Sequence, residues 1–94
     1  MKDLTDEQKE NLEDFAGCLF CDKQLAIIMG WDQEEFRTQM LLEKGEVFEI
    51  VMKGRLTREA KLRKSILDMA ERGSTPAQNS AADLLTQMKV DNVR

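Results

Sequence analysis

Residues 22–42, DKQLAIIMGWDQEEFRTQMLL, decide the fold of this chain. Two short amphipathic segments meet there at Gly30, a residue type that tolerates the left-handed backbone in which helices commonly end. Asp32 follows as a candidate N-cap with Glu35 three residues later, a spacing typical of a helix start. The stretch therefore predicts two short helices joined by a turn that contains glycine.

The apolar residues of this stretch also suit a steep crossing of the two helices. Ala26 is small and lies where two crossing helices must approach closely. Trp31 and Phe36, with Ile28 or Met29, can then fill the angle between the helices. This is the build of a helix-turn-helix unit, in which the second helix enters the major groove of DNA.

A further helix is predicted before this unit. Thr5 is a candidate N-cap and Gln8 lies three residues later, which is the spacing of a capping box. The apolar residues that follow recur at helical spacing and predict the inner face of this helix: Leu4, Leu12, Phe15, Ala16 and Leu19. Asp22 is predicted to cap the next helix, which runs from Lys23 to about Met29.

The second half of the chain is also predicted to be helical. Glu46 to Arg72 is typical of one long helix or of two shorter helices. Gly54 lies in its middle and costs about 1 kcal/mol relative to alanine. A kink or a close contact with another helix is the expected reason for a glycine at that position.

A last helix is predicted after the long one. Gly73 is a candidate C-cap, and either Ser74 or Thr75 is expected to cap the next helix with Pro76 at its first position. We expect the end of this helix to fray after Lys89.

The chain length and the helix start and stop signals together predict an all-α single domain of about five helices. Its 94 residues allow one domain at most. We expect residues 1–44 to form an N-terminal helix and the helix-turn-helix, and residues 45–94 to form a helical hairpin that mediates oligomerisation. A core this small is marginal, so association with further copies is expected.

Composition excludes several functional classes. The chain contains no histidine, which removes the commonest general base and the usual imidazole ligand of zinc. We find no catalytic set and expect no enzyme activity, cofactor or metal. Cys18 and Cys21 have three possible roles: small apolar side chains near a helix end, a redox pair, or ligands of a metal shared between subunits.

The sequence predicts neither a membrane-spanning helix nor a signal peptide. No apolar stretch approaches the 18 residues of a membrane-spanning helix, so we expect no membrane partner. The N-terminal segment is acidic and polar, unlike a signal peptide. We therefore expect a cytoplasmic protein.

The second helix of the predicted unit contains the candidate DNA-reading residues Gln33, Glu34, Arg37 and Thr38. Glutamine can pair bidentately with adenine and arginine with guanine. The charge of this region opposes that interpretation, because residues 22–44 carry three basic and five acidic residues.

Basic charge is concentrated instead after this unit. Residues 1–52 have a net charge of −8, whereas residues 53–64 have a net charge of +5. Arg55, Arg58 and Lys61 of this basic run are candidate phosphate contacts. The alternatives are an ordinary solvated helix face and pairing with the acidic first helix of a neighbouring subunit.

These residues give the chain a resemblance to a known family. Residues 22–42 are similar to the N-terminal helix-turn-helix of phage terminase small subunits, whose pattern is x-x-E-x-I-A-x-x-L-G-I-x-x-x-T-F. The matching core and turn positions are Leu25, Ala26, Met29, Gly30, Trp31 and Phe36. Residues 62–77 also resemble the L-x-x-A-x-x-G-x-x-x-A helix junction of that family, and the whole resemblance covers about residues 5–88.

The resemblance implies a DNA-recognition subunit of the packaging machine of a tailed phage or prophage. Such subunits form rings, bind double-stranded viral DNA and regulate a separate large ATPase-nuclease subunit without being nucleases. It implies that Gln33, Glu34, Arg37 and Thr38 face DNA and that residues 46–88 build the subunit contacts. Two alternatives remain: a helical protein-interaction module and a small dimeric transcription regulator.

Overall fold

The computed structural model describes residues 3–93, and its regular structure there is entirely helical. Five helices follow one another: α1 (Asp6–Gly17), α2 (Asp22–Met29), α3 (Gln33–Leu41), α4 (Glu46–Glu71) and α5 (Thr75–Asn92). The predicted all-α class is confirmed. The internal contacts divide the chain into a first unit, Met1–Glu59, and a second unit, Ala60–Arg94. Across residues 3–93, no helix combines the length and apolar character needed to cross a membrane.

Side-chain caps fix where α1 and α3 begin. The Thr5 hydroxyl accepts a hydrogen bond from the Gln8 N–H at 3.1 Å, and the Gln8 side-chain oxygen accepts one from the Thr5 N–H at 2.9 Å. Asp32 Oδ1 accepts from the Glu35 N–H at 2.9 Å. Because first-turn N–H groups have no partner within the helix, these bonds stabilise both starts. Both predicted caps are confirmed.

The start of α2 differs from the prediction. The N-cap is Cys21, whose N–H donates to the Gln24 side-chain oxygen at 3.1 Å, and Asp22 is the first helical residue. The prediction that Asp22 caps this helix was therefore wrong. Its carboxylate instead accepts a hydrogen bond from Arg55, which lies 33 residues away in the sequence.

A single continuous helix, α4, spans the segment for which one or two helices were predicted. Gly54 in its middle is buried against α1. A Cβ atom at this position would lie 3.0 Å from the Ala16 Cβ and would overlap the carbonyl oxygen of Glu13. The glycine is therefore explained by a close approach of two helix backbones.

The connection between α4 and α5 is a short turn at Gly73, which has a φ of 98°. The Ser74 hydroxyl accepts from the Ala77 N–H at 3.4 Å, and α5 begins at Thr75. Pro76 is therefore the second residue of the helix rather than the first.

The end of α5 also differs from the prediction. The helix continues through Asn92 instead of fraying after Lys89. Its last turns carry hydrogen bonds between side chains four residues apart, including Gln87 Nε2 to Asp91 Oδ1 at 2.9 Å. Such pairs stabilise a helix locally.

Four helices supply the core of the first unit. Its buried residues are Leu12, Ala16, Leu25, Ala26, Phe36, Met40, Val47 and Val51. Two residues predicted for the inner face of α1 lie outside this core, because Phe15 is 37% exposed and Leu19 is 53% exposed. Leu19 follows the end of α1 with a φ of 64°, so it no longer continues the helical face.

The second unit buries far less apolar surface. Ala77 is its one buried hydrophobic residue within residues 60–93. Gln78 Nε2 donates to the Ala70 carbonyl oxygen at 3.2 Å, which links the two helices beside their turn. Apolar residues along both helices remain exposed: Leu62, Leu67, Met69, Leu85 and Met88.

Candidate nucleic-acid interface

The turn between α2 and α3 comprises residues 30–32. Gly30 adopts the left-handed conformation, with φ 74° and ψ 27°. Its N–H donates to the Ile27 carbonyl at 3.2 Å, and the Trp31 N–H donates to the Ala26 carbonyl at 2.9 Å. These bonds use carbonyl groups at the end of α2 that would otherwise lack a partner. The chain then enters α3 after only three residues.

Packing beneath the turn determines which side of α3 faces outward. Leu25, Ala26 and Phe36 are fully buried. The ring of Trp31 lies against that of Phe36, with centroids 5.8 Å apart and planes tilted by 35°. Because Phe36 is held inward, residues on the opposite side of α3 must face solvent.

The four residues predicted to read DNA, Gln33, Glu34, Arg37 and Thr38, are all exposed on α3. Glu34 and Thr38 lie opposite Phe36, whereas Gln33 and Arg37 lie on the flank between that side and Phe36. Gln33 and Arg37 are four residues apart, as are Glu34 and Thr38, so they form two adjacent rows. The Thr38 hydroxyl donates to the Glu34 carbonyl at 2.9 Å. Thr38 therefore presents its methyl group and an oxygen acceptor rather than a donor.

A cleft of about 230 Å³ adjoins this face. It is lined by Gln33, Glu34 and Arg37 of α3 and by Asp22 and Lys23 of α2. The cleft therefore combines two cations, two carboxylates and one amide. Lys23 was absent from the predicted site, although a cation in the first turn of the preceding helix was visible in the sequence.

Arg55 has a different environment from the one expected of a phosphate contact. One guanidinium nitrogen, Nη2, donates to the Phe20 carbonyl and to Asp22 Oδ1, each at 2.9 Å. The side chain is only 24% exposed. Arg55 thus joins α4 to the segment between α1 and α2.

Other cations of the 53–64 run also contact the first unit. Arg58 Nε donates to the Gly17 carbonyl at 2.8 Å, and Lys53 Nζ lies 3.7 Å from a Glu13 carboxylate oxygen. None of the three roles predicted for the basic run was the pairing of these cations with groups of the same chain. Lys61 is exposed and belongs to the second unit.

The two cysteines lie at helix ends, as one of the three interpretations required. Cys18 is the C-cap of α1 and Cys21 the N-cap of α2. Both are exposed free thiols rather than packed apolar residues. Among residues 3–93, no three cysteine or carboxylate side chains are grouped so that they could hold a metal ion.

The structure thus brings three of the seven predicted residues, Gln33, Glu34 and Arg37, together around one cleft and leaves Thr38 exposed on the same helix. It places Arg55 and Arg58 at the α1–α2 junction and Lys61 in the second unit. No protein-family model, curated protein or solved structure matches the chain.

Proposed function

We propose that this protein recognises double-stranded DNA through α3 and acts as a homo-oligomer, as a packaging component that resembles a phage terminase small subunit. The observation that carries the proposal is the orientation of α3. Phe36 anchors the helix inward while Gln33, Glu34, Arg37 and Thr38 remain exposed. A helix held in this way by a preceding short helix fits the width of the major groove.

The exposed groups match the chemistry of base edges. The Gln33 amide suits adenine, the Arg37 guanidinium suits guanine, and the Glu34 carboxylate suits the amino group of cytosine. The Thr38 methyl group suits the methyl group of thymine. Lys23 lines the same cleft, and its ammonium group would contact a backbone phosphate in this proposal.

The charge balance explains why oligomerisation belongs to the proposal. Residues 22–44 carry more acidic than basic residues, so a single copy gains little from phosphate contacts. Several linked copies raise the effective concentration of each reading helix and offset this weakness. In the host cytoplasm, a large terminase subunit would then be the protein partner.

The test is fluorescence anisotropy with duplexes selected from a random library, measured over a series of salt concentrations. Gln33→Ala and Arg37→Ala are expected to weaken binding to the selected duplex by about 5- to 150-fold, because one bidentate base contact contributes about 1–3 kcal/mol. Lys23→Ala should weaken all duplexes alike and reduce the salt dependence.

Matched controls come from exposed residues of the second unit. Asn79→Ala is compared with Gln33→Ala, and Arg72→Ala with Arg37→Ala. If the α3 variants bind like these controls, or if the unmodified protein binds no duplex at low salt, the proposed reading of DNA by α3 is wrong.

The excess of acidic over basic residues in residues 22–44 favours a second candidate, a helical protein-interaction or transcription-regulatory module. Residues 22–44 have a net charge of −2, and α1 adds further exposed carboxylates. An interaction module should bind a lysine-rich peptide in a salt-dependent manner and bind no duplex. A dimeric regulator should protect two half-sites one helical turn of DNA apart, about 34 Å.

A further inference from the structure

The second unit lacks the buried surface of a self-sufficient fold. It is shorter than about 40 residues, a size at which a chain usually needs a crosslink, a metal or another subunit for stability. Ala77 is its one buried hydrophobic residue within the described range, and Leu67 near the middle of its α4 segment is 44% exposed. Cover from another molecule would remove this apolar surface from water.

A stripe of three exposed residues on α4 indicates which molecule covers the apolar surface of the second unit. Lys64, Leu67 and Glu71 are spaced by three and four residues and therefore lie on one side of the helix. Lys64 precedes Leu67 by about one turn, and Glu71 follows it by about one turn. Within residues 3–93, neither Lys64 nor Glu71 takes part in an ion pair.

We propose that this stripe, Lys64–Leu67–Glu71, is a two-fold contact with a second copy of the same chain. Two α4 helices cross antiparallel near Leu67, so that each leucine packs against its counterpart. Lys64 then faces Glu71 of the partner subunit, and the symmetry repeats this ion pair on the other side. The inference rests on the homo-oligomer of the proposed function and identifies one of its contacts.

Charge complementarity selects a second copy as the occupant. The charge on the stripe changes sign across Leu67, so the stripe matches itself only when the two helices run antiparallel. A parallel arrangement would bring the two Lys64 side chains together and the two Glu71 side chains together. The second unit is also closer to neutral, with six basic and four acidic residues, than the first unit, with eight basic and fourteen acidic residues. Two copies therefore repel each other less through the second unit.

The test is sedimentation equilibrium of the full chain over a range of concentrations at low salt. The unmodified protein is expected to associate as its concentration rises, with the dimer as the first species above the monomer. Lys64→Glu and Glu71→Lys each place like charges opposite one another at two symmetric positions, and each should weaken dimerisation by about tenfold or more. The double variant Lys64→Glu with Glu71→Lys exchanges the charges and should restore the dissociation constant to within a few fold of the original.

The control is Lys44→Glu, which makes the same change of charge at an exposed residue of the first unit and should leave dimerisation unchanged. Circular dichroism verifies that each variant retains its helices. A monomer at every concentration overturns the proposal, as do single variants that dimerise normally or a double variant that fails to recover. Higher oligomers that are insensitive to all three variants also overturn it, because they require a different contact.

The outcome is separable from that of the DNA proposal. Gln33→Ala should change duplex binding and leave the dissociation constant of the dimer unchanged. If the double variant fails to restore dimerisation but the protein still recognises duplex DNA, the proposed stripe alone is rejected. If the double variant restores dimerisation but the protein binds no duplex, the DNA proposal alone is rejected.

Discussion

The first and second units of this chain use the same sequence pattern with different results. Both are built from helices whose apolar residues recur every three or four positions. In the first unit, four helical segments converge and bury eight hydrophobic side chains, including all of Phe36. In the second unit, two helical segments bury Ala77 within the described range and leave residues such as Leu67 and Leu85 exposed.

The comparison separates the formation of helices from the formation of a core. An amphipathic helix gains stability chiefly by covering its apolar face with other elements. The first unit has enough elements to cover these faces, whereas the second unit has two. The second unit is therefore the part of the chain where we expect another subunit to contribute, and the first unit is the part that should determine stability on its own.

The largest expected effect is the loss of a core side chain from the first unit. Phe36→Ala should lower the free energy of unfolding by about 3–5 kcal/mol, because it leaves a cavity in a fully buried site. Leu85→Ala is the counterpart in the second unit and should cost less than about 1 kcal/mol, because that side chain is already about half exposed. Urea denaturation monitored by circular dichroism measures both. Equal losses would contradict the comparison.

A smaller loss is expected at the contact of α1 with α4. Gly54→Ala should destabilise the protein by about 1–3 kcal/mol, because the added Cβ overlaps the Glu13 carbonyl oxygen. An alanine ordinarily stabilises the middle of a helix relative to glycine, so the sign of the effect is diagnostic. Ser65→Ala, at an exposed position of α4, is the control and should change stability by less than about 0.5 kcal/mol. A stabilising Gly54→Ala would show that the backbones are farther apart.

The smallest of the three effects concerns Arg55. Arg55→Met keeps the aliphatic stem but removes the hydrogen bonds to Phe20 and Asp22. It should cost about 0.5–1.5 kcal/mol, because the Asp22 carboxylate retains contact with solvent. A double-mutant cycle with Asp22→Ala in urea denaturation should give a coupling energy of at least about 0.5 kcal/mol. Arg72→Met, at an exposed position, is the matched control. Additive effects of the two substitutions would exclude the predicted coupling.

The features that the sequence predicted correctly depend on neighbours in the chain. The capping pairs Thr5 with Gln8 and Asp32 with Glu35 involve residues three positions apart. The end of α2 at Gly30 depends on the freedom of one residue to adopt a positive φ. Each of these interactions is decided within about one helical turn, so no knowledge of the tertiary structure is needed to infer it.

Two errors in the prediction concern contacts between distant residues. The Asp22 carboxylate had two possible uses, and Arg55, 33 residues away, determined which one it took. Periodicity placed Phe15 and Val51 equally among the inner residues, but only Val51 is fully buried. A periodic pattern identifies a candidate face, whereas the neighbouring helices decide how much of that face they cover.

The candidate site also combines features that depend on nearby residues with features that depend on distant residues. The order of residues along α3 places Glu34 and Thr38 opposite Phe36, with Gln33 and Arg37 beside them, as soon as Phe36 is directed inward. The sequence by itself therefore determined the helical class, the caps of α1 and α3, the turn at Gly30 and the composition of the exposed face of α3, because all of these follow from the residues within about one helical turn.

Only the tertiary structure decided how the charges and apolar faces are used. It directs Arg55 and Arg58 to the junction of α1 and α2, brings Lys23 beside α3, and places Gly54 against the backbone of α1. It also leaves Leu67 exposed between Lys64 and Glu71. The physical reason is that these outcomes depend on which distant segments meet, and burial and pairing are properties of both partners rather than of either sequence segment alone.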